Sequence, residues 1–261
     1  MNIAVCAKVT PDTTAQIKTM GDGSGIETAG IKWVISPYDM FALTEAVNTT
    51  KSQGSGTVHL FTVGDDSDVS ALRSGLALGG EDLTLVNKAD LPKEDPLAVA
   101  KALARAIEAG PDIQMAFCGK QAADDDNVQV PAMVAEFLGW PLVSMISAFS
   151  VDGNTFTATR NVGGGVAETV TGSLPAVFTC DKGLNTPGYA KLPQIMKAKR
   201  KKVHKKSAAD LGLSGDDLAA SVSVSGYSAP PARPAGRMIE GDLDSSIAEL
   251  VNLLRNEAKV L

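Results

Sequence analysis

Apolar residues in the first two-thirds of the chain fall into two patterns that take turns. Short runs rich in apolar residues occur at 2–8 (NIAVCAK), 57–63 (TVHLFTV), 83–86 and 113–118. They are too short for helices and lack the polar alternation of a half-wetted sheet, so they predict strands buried on both faces. Between them the apolar positions recur at helical spacing. Met40, Leu43, Ala46 and Val47 mark one helix, and residues 69–78 a second. Positions 97, 99, 102, 103, 106 and 107 mark a third over 97–109, and a fourth covers about 127–138. The first helix has a start signal. Ser36 precedes Pro37, and Asp39 follows three residues after Ser36, the form of a capping box with proline at the first helical position. It is expected to stop near Gly54. Alternation of this kind predicts a mostly parallel α/β sheet with helices on both faces and right-handed crossovers. Ligands of such sheets bind at the carboxyl ends of strands, here after Lys8, Val63 and Cys118.

From Pro141 the pattern changes. Residues 142–150, 154–160, 166–171 and 176–180 predict short strands around glycine-rich turns, with Asp152-Gly153 as a hairpin signal. The stretch 221–234 is rich in Ser, Pro and Gly, and Pro230, Pro231 and Pro234 predict extended backbone. Residues 245–258 (SSIAELVNLLRNEA) predict a terminal amphipathic helix, with apolar positions 247, 250, 251, 253 and 254. Its apolar stripe either lies on a partner or folds back on the parent core.

Composition narrows the function classes. With 261 residues and 44% hydrophobic content, the chain supports one sizeable core plus an extension. No apolar run reaches the roughly 20 residues that span a bilayer, and no signal peptide is visible at the start. A cytoplasmic protein, or a mature organellar one, is expected. The three cysteines, Cys6, Cys118 and Cys180, form no CxxC pair and read as buried free thiols. His59 and His204 are the only histidines, and neither has the setting of a triad or a metal site. The net charge is −6, yet residues 197–206 (KAKRKKVHKK) hold seven Lys and Arg and no acid, leaving −13 elsewhere. That balance argues against a general nucleic-acid binder. The basic run itself reads as a recognition element, a solvated face or a local nucleic-acid patch.

The strongest chemical candidate is the loop 119–130 (GKQAADDDNVQV), placed between a predicted strand and a predicted helix. A glycine admits close backbone approach, and amides at a helix start attract phosphate. Three consecutive aspartates are wrong for a phosphate cradle alone. They suit a site in which some cap the helix and others accept hydrogen bonds from ribose or adenine. An acidic, capped helix start with no ligand is the alternative. The loop is neither a P-loop nor a GxGxxG fingerprint.

Four segments together resemble the electron transfer flavoprotein beta subunit family: AVCAKVTPD at 4–12, VISPYDMFALTEA at 34–46, the loop 119–130, and LPAVFTCDKGLNTPGYAKLPQIMKAKRKK at 174–202. They cover nearly the whole chain in the family's order. The resemblance implies a Rossmann-like (adenine-nucleotide alpha-hydrolase-like) core over 1–190. It also implies a partner-recognition loop with a basic segment over 184–206, and an arm and helix over 207–261 that pack on a larger alpha subunit. It implies one FAD per heterodimer, held mainly by alpha, and a structural AMP in beta. The role implied is electron carriage rather than catalysis. Electrons come from acyl-CoA or other dehydrogenases and pass to a quinone oxidoreductase, in the cytoplasm or mitochondrial matrix. A bifurcating flavoprotein with a second FAD in beta, and a stand-alone adenine-nucleotide binder, are the rival readings.

The positions matching the family's nucleotide site are Cys6, Ala7 and Lys8; Ser36, Pro37, Tyr38 and Asp39; Val63; and Gly119, Lys120, Gln121, Ala122, Ala123, Asp124, Asp125, Asp126, Asn127, Val128, Gln129 and Val130. Those matching partner recognition are Tyr189, Leu192, Pro193, Ile195 and Met196, with Leu192 as the anchor in a dehydrogenase pocket. No metal site is implied. The chain departs from the family in places. Ser36 replaces an asparagine and Gly188 an arginine. Val130 stands where AMP-type members often carry threonine, and Asn161 lies near an acidic position of some relatives. The Asp124-Asp125-Asp126 run follows the AMP type, whereas the bifurcating type tends to have glycine in the middle.

Overall fold

The apolar-rich runs are strands of one sheet, and their alternate residues feed two cores. The computed structural model describes residues 1–233 and 235–261. Pro234, expected in the extended proline-rich stretch, lies outside the described residues. In chain order the elements are β1 (Asn2–Cys6), the short β2 (Val9–Pro11) and β3 (Trp33–Ile35), α1 (Pro37–Ser52), β4 (Thr57–Gly64), α2 (Val69–Leu78), β5 (Asp82–Asn87), α3 (Pro96–Glu108), β6 (Ile113–Gly119) and α4 (Val130–Leu138). Then come β7 (Leu142–Asp152), β8 (Thr155–Gly163), β9 (Val166–Ser173), β10 (Ala176–Cys180), α5 (Leu192–Ala198), β11 (Val203–Lys206) and α6 (Leu243–Asn256). The main sheet has nine strands in the order β11-β5-β4-β1-β6-β10-β7-β8-β9. It is parallel from β11 to β7 and antiparallel from β7 through β9. This is the expected mostly parallel, Rossmann-like arrangement.

The period-2 geometry of a strand sends neighbours to opposite faces. On one face Ile3, Val5, Phe117 and Phe178 pack with Ala42, Leu43 and Ala46 of α1 and Leu72 and Leu76 of α2. On the other, Ala4, Cys6, Phe61, Ala116 and Cys118 pack with Ala102, Leu103 and Ala106 of α3 and Val134 and Ala135 of α4. Each fully buried Leu, Ile or Phe contributes roughly 2–3 kcal/mol of transfer free energy. All three cysteines are buried and free, as their apolar settings predicted.

The region after Pro141 differs from expectation in length and order. Instead of short strands, β7 has 11 residues and β8 has nine, joined at the predicted Asp152-Gly153 turn. β10 returns between β6 and β7, so the hairpin arm extends the parallel sheet rather than forming a layer of its own. Aromatic packing joins the two parts. Phe178 of β10 meets Phe117, Phe149 and Phe156 at centroid distances of 5.2, 4.7 and 4.9 Å. Such pairs add about 0.5–1.5 kcal/mol each beyond area burial.

The recognition segment was expected as a loop followed by a basic run. It holds the short helix α5 instead, and the run ends in β11, the edge strand paired with β5. Ala208, Leu211 and Leu213 continue into the second core, so the sheet domain extends past residue 206.

Candidate functional site

The chain leaves β1 toward β4 and β5 on one side, then returns to β6 on the other side of β1. The connections that follow β1 and β6 therefore run to opposite sides, and the carboxyl ends of these paired strands mark the topological switch point, where ligands of such sheets bind in a crevice. One carboxylate bridges it. Asp39 Oδ2 accepts from the Lys8 N–H at 2.8 Å, and Oδ1 accepts from the Gly119 N–H at 2.8 Å. Burial pushes the Asp39 carboxyl up to about 7, against the opposing pull of those two amides and of the Lys8 charge. Gly119 is required here, because a Cβ would lie 2.6 Å from Asp39 Oδ1 and 2.7 Å from Tyr38 Cβ.

The capping box read from the sequence is therefore not formed. Ser36 holds the N-cap position, but its side chain makes no capping bond, and its N–H donates to the Lys8 carbonyl at 2.9 Å. Asp39 is spent instead on two backbone amides, one just after β1 and one at the end of β6, that lie within its reach. Ser36 Oγ is left fully buried without a partner. Such a group costs about 1–3 kcal/mol unless something fills the place.

The loop after β6 covers the mouth. Two lysines, Lys8 after β1 and Lys120 of the loop itself, tie it to neighbouring segments. Lys8 Nζ meets Asp124 Oδ1 at 2.8 Å and Asp125 Oδ2 at 3.0 Å. Lys120 Nζ meets Asp181 Oδ1 at 2.9 Å and lies 5.2 Å from the Tyr38 ring centroid. The Lys120 N–H donates to the Cys180 carbonyl. Gln121 Nε2 donates to Asp126 Oδ1, and the Asn127 N–H to Asp125 Oδ1. None of the three aspartates caps α4. That helix begins at Val130, after a Gln129 whose side chain makes no capping bond. The expected start near 127 was too early because residues 126–129 are irregular. Asp126 and Val128 have positive φ of 50° and 56°, uncommon for aspartate and an outlier for a β-branched residue, and Val128 is 53% exposed.

The structure thus brings residues 6–8, 36–39 and 119–126 to one place. Val63 lies at the carboxyl end of neighbouring β4. Not every side chain in this set faces the crevice freely. Cys6 is buried beside its register partner Cys118, and Asp39 spends both oxygens on the protein's own backbone. Asp181 and Asn185 were missed as contributors. Asn185 Nδ2 donates to the Phe41 carbonyl and to Glu45, tying the chain after β10 to α1. The quoted LN motif contained it, but its partners lie some 140 residues away.

The partner-facing candidates are exposed as expected. Tyr189 is 99% exposed and Leu192 72%, with Pro193, Ile195 and Met196 also exposed on α5. Lys201 of the basic run is an exception: its Nζ donates to the carbonyls of Leu76 and Gly80. An open cleft of about 770 Å³ lies at the amino ends of β5 and β11, bordered by Asp82, Lys197, Arg200 and His204. Both histidines face one carboxylate there, with His59 Nδ1 2.8 Å and His204 Nε2 3.7 Å from Asp82.

A doubly covered, mostly parallel sheet with a bridged crevice at its switch point defines a Rossmann-like α/β protein. Comparison with known proteins then becomes specific. The family model of the electron transfer flavoprotein domain matches residues 24–211. The chain is 38% identical to the electron transfer flavoprotein subunit beta of Bradyrhizobium diazoefficiens over the full length of both. It is 37% identical to the mitochondrial subunit beta of Oryza sativa subsp. japonica, again over both full lengths. It is 34% identical to the Homo sapiens subunit beta, over 96% of this chain and 98% of that one. The chain belongs to the electron transfer flavoprotein family, on its subunit beta branch, and its role is that of an electron-transfer flavoprotein component. No helix among the described residues is long and apolar enough to cross a membrane.

Proposed function

We propose that this chain is the beta half of a heterodimeric electron carrier, and that the crevice between β1 and β6 binds AMP as a structural ligand. The observations that carry the reading are the convergence of residues 6–8, 36–39 and 119–126 at the switch point of the sheet and the buried, unpartnered Ser36 Oγ in that set. Such a place fits a small polar ligand lying against backbone. Lys8, Ser36 and the backbone of Gln121 through Val130 would hold it. Asp124 and Asp125, already drawn over the mouth by Lys8, favour a mononucleotide over a flavin.

The larger alpha subunit holds most of one FAD, and the flavin supplies the electron chemistry when bound. This chain supplies a folded platform and two docking elements. The apolar stripe of α6, with Leu243, Ile247 and Leu250 exposed, faces alpha. Leu192 on α5 enters a pocket of an acyl-CoA or other dehydrogenase, and a quinone oxidoreductase takes the electrons onward. The deciding experiment is an acid extract of the purified complex, with nucleotides counted per dimer. One AMP and one FAD are expected. Two FAD and no AMP would overturn the AMP assignment.

A further inference from the structure

The C-terminal arm does not leave the core where its composition changes. The N–H groups of Ser221 and Val222 donate to Asp95 Oδ2 at 2.5 and 3.3 Å. The other oxygen of Asp95 accepts from Leu97 and Ala98 at 2.9 and 3.4 Å and so caps α3. Asp95 is fully buried, and a buried carboxylate needs such donors. Half of its amide donors come from its own helix and half from the arm. A second grip follows at Tyr227. Its N–H donates to the Gly23 carbonyl at 2.9 Å, its hydroxyl donates to the Glu94 carboxylate, and Lys93 Nζ lies 6.0 Å from the ring centroid. That bond to Glu94 pushes the Tyr227 phenol up to about 12. Gly23 has a φ of +68°, and a Cβ there would press to 3.3 Å from the Tyr227 carbonyl oxygen. Past this point the arm's ion pairs among the described residues are internal, with Arg237 on Glu249 and Glu257, and α6 buries none of its residues.

We propose that Lys93, Glu94 and Asp95, with Gly23 opposite, form a clasp on residues 221–227 that positions the arm for assembly with its partner subunit. The proposal rests on the reading of α6 as partner-facing. With the clasp closed, the tether to α6 is residues 228–241, 14 in all, and with it open the tether is 221–241, 21 in all. Effective concentration falls as about the −3/2 power of tether length, so length alone accounts for about a twofold loss of affinity. Loss of a fixed direction adds to that.

The test uses the full chain with Tyr227→Ala, and Tyr227→Phe as the conservative variant that loses only the hydroxyl. Hydrogen exchange is measured on the free chain, and affinity on titration with the alpha subunit. In the unaltered chain the amides of Ser221 and Val222 should exchange at least about tenfold more slowly than those of Ser228, Ala229, Ala232 and Arg233. Tyr227→Ala should remove that protection and weaken assembly at least about threefold, with Tyr227→Phe between. Free exchange of Ser221 and Val222 in the unaltered chain would overturn the clasp. So would an unchanged affinity when Tyr227→Ala has released them. An unaltered chain that fails to join an alpha subunit would instead overturn the heterodimer reading, and the exchange rates alone would then decide the clasp.

Discussion

Asp39 is the residue on which the crevice depends. It is fully committed to two backbone amides, one just after β1 and one at the end of β6, and its burial opposes the charge those amides prefer. A carboxyl whose folded pKa is raised, here from 3.8 to about 7, binds its proton more tightly in the native state than in the unfolded one. Its contribution to stability is therefore fully present below about pH 4 and is lost as pH rises through about 7. We predict that stability falls between pH 5 and 8 and that Asp39→Asn flattens this slope. The variant should also lose about 1–3 kcal/mol at pH 5, where an amide cannot accept from both donors as well as the acid does. Urea midpoints at pH 5, 6, 7 and 8 for both proteins check it. An Asp39→Asn curve parallel to the parent would show that another group titrates.

At the scale of elements, α5 and β11 divide the basic run into parts with different work. Lys201 is bound to the carbonyls of Leu76 and Gly80 and serves the fold, whereas Lys197, Lys199 and Arg200 remain exposed. An apolar anchor supplies affinity, and surrounding charge raises the encounter rate. Leu192→Ala should slow electron transfer from the cognate dehydrogenase at least about tenfold, about 1.4 kcal/mol of lost binding, with flavin content unchanged. Neutralising Lys197, Lys199 and Arg200 together should lower the association rate and flatten its salt dependence. Stopped-flow flavin reduction across salt concentrations separates the two effects. An unchanged rate for Leu192→Ala would remove α5 as the anchor.

At the scale of the whole molecule, a ligand that binds only the folded chain stabilises it by mass action. AMP at about 100 times its dissociation constant should add about 2.7 kcal/mol. The melting temperature of the complex should rise with added AMP while the flavin spectrum stays the same. A spectral change without a shift in melting would place the nucleotide at the flavin rather than in the crevice.

How much of this was legible follows from how local each cause is. The main-sheet strands and the helices of the first 138 residues were readable, because an apolar run or a helical spacing is written within about ten neighbouring residues, whereas the three-residue strands β2 and β3 carry no such pattern and were not read. Residues 69–78 were placed without error, and Asp152-Gly153 marked its own turn. The crevice loop was found by its composition and its resemblance. What Asp39 does was not legible, since a capping residue and a strand bridge share one local sequence. Only the meeting of β1, α1 and β6 selects the second, and Asp39 stands 80 positions from Gly119. The same holds for Asp95, which stands just before the expected third helix but binds the arm 126 residues later. It holds too for the insertion of β10 between β6 and β7 and for the edge strand hidden in a lysine run. Sequence alone determined which segments bury apolar surface and in what order. Tertiary structure decided which buried amides needed an acceptor and which carboxylate could reach them, because that depends on distances between segments remote in the chain.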